Sequence, residues 1–235
     1  MELDQSFPCF PIPVSIYNFG KDAHELNIKV ANDILDEMDY FNNRGVIRSN
    51  LGGWHSDDMS HHGSFKMLIE HIEACLDAYC ETHGFYGDLK IDHIWGNVNK
   101  AQNYNLMHHH GLSTLTGVYY PVQCVQDNKL MFNYKERVSL EAGIGNEKEE
   151  GGALILQDPN FGLKTTLVIK EQSPFTLSHY HLYPVAGVLL IFPPYLLHTV
   201  TPHYEDDYDR ISVSFSCEYP ADAPRNNPNG SNGNN

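Results

Sequence analysis

The sequence predicts an all-β core with flanking helices. Two early stretches carry the four-residue apolar spacing of amphipathic helices, and from Asp92 onward the apolar period changes to two. The later half then divides into many short apolar runs punctuated by glycine and proline. Short strands following two helices make a closed or sandwiched β core with the helices packed outside. A length of 235 residues fits one large β domain with added helices and does not call for a second.

The elements follow in chain order. Residues 8–18 read as an entry strand. Asp22 is placed to cap a first helix running to about Met38, with Leu26, Val30, Ile34 and Met38 recurring every four residues. A polar loop, Ser49 to Ser56, turns at Gly52-Gly53. A second helix is expected over Ser64–Thr82, where Leu68, Ile69, Ile72, Cys75, Leu76 and Tyr79 share one face. Ile94–Asn99 and Leu115–Tyr120 read as strands. Gln123–Glu150 is a long polar excursion, either a substrate-facing lid or a plain insertion. Strands are expected again at Gly151–Pro159, Thr165–Ile169, Gly187–Phe192 and Ile211–Phe215. Trp54 and Trp95 are expected to pack the helices against the sheet. Residues 221–235, mostly Asn, Pro and Gly, have little to bury and are expected to be a disordered tail.

Composition excludes some classes. The formal net charge is -15, with only 15 basic residues and no Lys/Arg cluster, which argues against nucleic-acid binding. The acidic start has no apolar core of the signal-peptide type. The apolar stretch Leu182–Leu197 is too short and proline-broken to span a bilayer and reads as a buried strand and turn. Five cysteines (Cys9, Cys75, Cys80, Cys124, Cys217) are odd in number and lack metal-site spacing. Reduced thiols in a cytoplasmic protein with no membrane partner are expected. Oligomeric state leaves no mark on the sequence.

The chemistry-bearing feature is Asn105-Leu106-Met107-His108-His109-His110. In an extended segment His108 and His110 share a face and offer two imidazoles to one metal. In a helix they would diverge, but Asn103, Asn105 and Gly111 disfavour one. Far along the chain stands His198, followed by Arg210 at the start of an alternating strand. Nitrogen donors on one side of an ion, with the other side open, suit non-haem iron(II). A second pair, His179 and His181, exists, and His55, His61, His62 and His203 are loosely placed. Asp158 lies on the parity of Leu154 and Leu156, although an aspartate before Pro159 is also an ordinary turn former. Arg210 can grip a carboxylate through two hydrogen bonds with Ser212 on the same face, or else pair at the surface with Asp206, Asp207 or Asp209.

These motifs together resemble a 2-oxoglutarate/iron(II) oxygenase family common in bacteria and marine viruses. The resemblance rests on Ser49-Asn50-x-Gly52-Gly53-Trp54-x-Ser56, Ile94-Trp95-Gly96-Asn97-Val98-Asn99, Tyr104-Asn105-x-x-His108-x-His110 and Thr116-Gly117-Val118-Tyr119-Tyr120. It continues through Gly151-Gly152-x-Leu154, Asp158-Pro159, Pro184-x-x-Gly187-x-Leu189-x-x-Phe192-Pro193, His198-x-Val200-x-Pro202 and Arg210-x-Ser212-x-Ser214-Phe215, covering about residues 8–217. It implies a double-stranded β-helix, or jelly roll, over residues 1–220. It further implies Fe(II) and 2-oxoglutarate as cofactors and a dioxygenase, in the form of a hydroxylase, acting on an unidentified small molecule or peptide.

By this resemblance Arg210 anchors the far carboxylate of 2-oxoglutarate, with Ser212 beside it and Asn97, Tyr104 and Tyr120 as further hydrogen-bonding candidates. The wider superfamily usually carries His-x-Asp or His-x-Glu where this chain has His108-x-His110. Three ligand sets are therefore open. They are His108, His110 and His198 together, Asp158 supplying a carboxylate in place of His110, or a water completing the set. Two other classes share the fold: a cupin-like metal enzyme independent of 2-oxoglutarate, and a non-catalytic jelly-roll binding protein.

Overall fold

The computed structural model describes residues 10–40, 44–135, 141–142, 151–160, 168–171, 173 and 175–223. In chain order it has β1 (Ser15–Asn18), α1 (His24–Asp39), β2 (Asn50–Leu51), β3 (Trp54–His55) and α2 (Gly63–His83). Next come β4 (Lys90–Asn99), β5 (Tyr104–His108), β6 (Leu115–Tyr120), β7 (Cys124–Gln126) and β8 (Lys129–Met131). The chain continues through β9 (Glu141–Ala142), β10 (Leu154–Gln157), β11 (His179–Leu182), β12 (Val188–Phe192), β13 (His198–Val200) and β14 (Tyr208–Glu218). Every pairing among these strands is antiparallel.

The strands form two sheets. The eight-stranded one runs β1-β12-β6-β14-β4-β3, with β7 on β14 and β8 on β7. The six-stranded one runs β2-β5-β13-β10-β11-β9. Alternation along each strand of the larger sheet builds two cores. Ile94 and Val98, Tyr119, Leu189 and Ile191, and Ile211, Val213 and Phe215 point outward to Val30 and Ile34 of α1 and Phe65, Leu68, Ile72 and Leu76 of α2. Their neighbours Val118, Tyr120, Leu190 and Phe192 point inward to Leu154, Leu156, Leu182 and Val200 of the smaller sheet. The same inward parity carries Trp95, Asn97, Arg210, Ser212 and Ser214, so the polar side chains of β4 and β14 are enclosed between the sheets. This is an all-β core with flanking helices, in the form of a double-stranded β-helix.

The helices are those the apolar spacing predicts, with one correction at a cap. Asp22 does not cap α1. It lies in a 3-10 turn, Gly20–Ala23, and the residue before the helix, Ala23, makes no side-chain capping bond. α2 ends as helices commonly do, with Gly84 in the left-handed region (φ 75°) and its N–H on the Cys80 carbonyl. Leu182–Leu197 holds the end of β11, the buried strand β12 and the turn after it. The expected strand Thr165–Ile169 lies outside the described residues up to position 167, and residues 168–169 are not in a strand. The excursion Gln123–Glu150 contains the β7–β8 hairpin and β9, and its remainder beyond 135 lies outside the described residues. Ala221–Ala223 form a turn in which the Ala223 N–H meets the Pro220 carbonyl, and the rest of the expected tail lies outside the described residues. Cys9 also lies outside them. The four described cysteines are free, and burial pushes the Cys75 and Cys124 thiols up to about 11 and Cys217 up to about 12. No helix among the described residues is long and apolar enough to cross a membrane.

Candidate metal centre and cosubstrate pocket

Antiparallel pairing of β5 with β13 sets His198 directly opposite His108, and opposed residues in such a ladder share a face. β5 ends at His108, so the extended reading of the histidine run holds only to that point. Beyond it, the His110 N–H donates to the Pro194 carbonyl at 2.9 Å, and the Ser113 N–H returns to the His110 carbonyl. Gly111 takes φ 49°, which turns the chain there and leaves His109 exposed. The turn, rather than strand parity, brings the His110 ring in.

The three rings meet. Ligand nitrogens of His108, His110 and His198 all lie within 4.8 Å of one another. Nε2 of His110 and Nε2 of His198 are 3.2 Å apart. Two nitrogens bound side by side to one ion at about 2.1 Å would be separated by about 3 Å. Hydrogen bonds set the ring tautomers. His108 Nδ1 meets the Leu106 carbonyl at 2.7 Å and His198 Nδ1 meets the Leu196 carbonyl at 2.8 Å. A carbonyl only accepts, so each Nδ1 carries the proton and each Nε2 presents a lone pair. Burial lowers all three ring pKa values, His110 to about 4 and His198 to about 3, and the neighbouring imidazoles act in the same direction. Neutral, converging imidazoles are what a transition ion binds.

Asp158 is not part of this cluster. Its Oδ1 accepts the Asn160 N–H at 3.0 Å, the turn-forming role open to an aspartate before proline. The pair His179 and His181 sits on β11 and joins no metal-binding group among the described residues.

Arg210 is 2% exposed and lines the same cavity as the three histidines, a space of about 540 Å³. Its Nε donates to the Gly152 carbonyl at 2.8 Å, and its two terminal nitrogens donate to Ser212 Oγ and Tyr120 Oη, each at 3.0 Å. It makes no ion pair among the described residues, and Asp207 instead accepts from Gln126. The surface pairing with Asp206, Asp207 or Asp209 is thereby overturned. Burial raises the Tyr120 pKa against the opposing pull of the guanidinium, so the phenol stays neutral. A guanidinium buried among neutral acceptors carries a desolvation cost of several kcal/mol that an anion in the cavity would offset.

The remaining expected residues divide. Asn97 lines the cavity, and its amide donates to Ser214 Oγ at 3.2 Å. Tyr120 meets the cavity through its bond with Arg210 rather than as a lining residue. Tyr104 is a correction: 36% exposed at the start of β5, it does not line the cavity. Trp95 is another. Trp54 belongs to the core beneath the helices, but Trp95 faces the cavity, its ring stacked on His55 (5.4 Å, 10°) and 5.8 Å from His110. His55 itself was legible only as one histidine among many. Asn99 and Asn105 also gain roles. Asn99 donates to Asn105 at 3.0 Å, and Asn105 donates to Ser49 Oγ at 3.3 Å, which ties β4 and β5 to the loop beside His108.

Comparison with known proteins agrees with this fold. The family model described as "Putative 2OG-Fe(II) oxygenase" matches residues 93–216, more than half of the chain. No curated protein sequence matches. Among solved structures, a Pseudomonas putida prolyl-4-hydroxylase is similar at TM-score 0.53 and 13% identity, over 89% of this chain and 94% of that one. The non-haem α-ketoglutarate-dependent epimerase SnoN of nogalamycin biosynthesis is similar at TM-score 0.58 and 12% identity, over 88% and 78%. HygX from Streptomyces hygroscopicus, with nickel and 2-oxoglutarate bound, is similar at TM-score 0.53 and 11% identity, over 89% and 84%. At such identities the likeness concerns the fold.

Proposed function

This chain belongs to the 2OG-Fe(II) oxygenase family, and from that premise we propose that it is a non-haem iron(II) and 2-oxoglutarate-dependent dioxygenase that hydroxylates a small molecule or peptide. The observation that carries the reading is one cavity holding both a converging set of three neutral imidazoles and a buried guanidinium without a carboxylate partner among the described residues.

His108, His110 and His198 would hold the ion through Nε2. The donor set fits: three nitrogen ligands on one side suit iron(II) and leave its other side for cosubstrate, oxygen and substrate. Iron(II), when bound, supplies the redox chemistry that couples dioxygen to the oxidative decarboxylation of 2-oxoglutarate. The protein's own groups bind, orient and exclude water. Arg210 would take the far carboxylate of 2-oxoglutarate, oriented by Tyr120, Ser212 and the Gly152 carbonyl, with Asn97 and Ser214 along the same wall. Val118, Leu154, Phe192 and Val200 line the cavity with apolar surface that keeps water from the reacting centre. Trp95 and His55 form a flat wall near His110, suited to holding a substrate carbon beside the ion.

A prolyl hydroxylase, an epimerase and a carbocyclase are all among the solved structures of this fold. Hydroxylation is therefore the proposed outcome and the primary substrate is left unnamed. The test supplies iron(II), labelled 2-oxoglutarate and a cell extract as substrate source, and measures labelled succinate. Succinate from the wild type and none from His198→Ala is the expected result. Equal succinate from both would refute the reading. A cupin-like activity independent of 2-oxoglutarate would appear as substrate loss unchanged when 2-oxoglutarate is left out.

A further inference from the structure

A second cluster of metal-ligating side chains lies where α1 meets the start of α2, and none of its members lines the cavity. Asp33 and Glu37 stand four residues apart on α1, and so share a face. His61 and His62 precede α2 directly, with ring centroids 4.2 Å apart. Ligand atoms of Glu37, His61 and His62 all fall within 4.8 Å of one another.

The His62 ring is held but its nitrogens are not spent. Its backbone is pinned at both ends, N–H to the Met59 carbonyl and carbonyl to the Lys66 N–H, each at 3.1 Å. As the residue capping α2 it makes no side-chain capping bond. Its Nε2 is buried with no hydrogen-bond partner and faces Glu37 Oε2 at 3.7 Å. On the other side, Nδ1 faces Asp33 Oδ2 at 3.8 Å, and Asp33 is steadied by the Ser64 hydroxyl. Both spacings are too long for hydrogen bonds. Two ligand atoms around one tetrahedral zinc would be about 3.3 Å apart, so the His62–Glu37 pair closes with a shift of a few tenths of an ångström and the exposed His61 ring with a shift of at most about 1.5 Å.

We infer that Glu37, His61 and His62 form a second divalent-cation site of the zinc class, separate from the oxygenase centre, with Asp33 orienting the His62 ring. Two imidazoles and one carboxylate suit a borderline ion such as zinc(II), cobalt(II) or nickel(II) over calcium or magnesium. Closing the 3.8 Å gap between His62 Nδ1 and Asp33 to a hydrogen bond would complete the carboxylate–histidine–metal support usual for such a ligand. A bound ion links the two helices and stabilises the folded chain in proportion to its occupancy.

Zinc(II) stoichiometry by equilibrium dialysis tests this on the full-length protein. His61 is exposed, so His61→Ala leaves the core untouched. The wild type should bind one equivalent more than His61→Ala or Glu37→Gln, whatever the occupancy of the other centre. Asp33→Asn should keep that equivalent but weaken it by about 10–100-fold. Equal stoichiometry in wild type and both ligand variants would overturn the site and leave His62 as an ion-pair partner of the two carboxylates. An Asp33→Asn variant with unchanged affinity would overturn the role given to Asp33.

Discussion

Arg210 and Tyr120 meet at 3.0 Å in the interior, the guanidinium donating to a neutral phenol whose ring also lies beneath its central carbon at 5.1 Å. The aromatic ring therefore fixes the direction of the charge from two sides. Replacing Tyr120 by Phe should keep the ring and lose the acceptor. Hydrogen bonds to charged groups contribute about 1.5–3 kcal/mol, so 2-oxoglutarate affinity should fall by about tenfold or more while iron binding is retained. Calorimetric titration of 2-oxoglutarate into the iron-loaded variant checks this.

Metal-free protein should lose stability as acid is added. The imidazoles of His108, His110 and His198 have folded-state pKa values lowered by burial, to about 4 at His110 and about 3 at His198. Between those values and the unfolded value of about 6.5 the unfolded chain binds more protons, so stability rises with pH. It should be fully present above about pH 6.5 and decline as pH falls toward 4 and below. Urea midpoints across this range should fall less steeply for His198→Asn than for the wild type.

Ion binding should be visible in tryptophan emission. Trp95 is 5.8 Å from His110, whereas Trp54 lies in the core beneath the helices. Iron(II) should quench the Trp54→Phe protein, which retains Trp95. The Trp95→Phe protein should show little quenching. Equal quenching in both would place the ion elsewhere.

Gly117 tests the packing of the larger sheet. A Cβ there would collide with the Leu190 carbonyl oxygen and the Phe215 ring. Backbone cannot withdraw as a flexible side chain can, so Gly117→Ala should cost about 2 kcal/mol or more, read as a lowered thermal midpoint.

Much of this architecture was legible because two periods are simple. Spacing by four marked α1 and α2, alternation marked β4, β6 and β14, and an unbroken apolar run marked β12. The same alternation put Arg210 beside Ser212, which the structure joins by a hydrogen bond. What was not legible depends on turns and on long-range register. His110 is brought in by its bond to Pro194, a residue 84 positions away. Trp95 follows inward parity on β4, but its apolar ring read as core, and only the two-sheet arrangement shows that this face opens on the cavity. Tyr104 was misplaced for the opposite reason, since motif proximity cannot separate a rim residue from a cavity residue, and Asp158 takes the turn-forming role that its place before Pro159 also offered.

The direct test of the account is an anaerobic titration, iron(II) first and 2-oxoglutarate second, followed in the visible range. A weak charge-transfer band saturating at one equivalent is predicted for the wild type. It should be absent in His198→Ala and require far more 2-oxoglutarate in Arg210→Met. Folded wild-type protein holding one iron per chain, yet giving no band, would contradict the assignment of these imidazoles and this arginine to one centre.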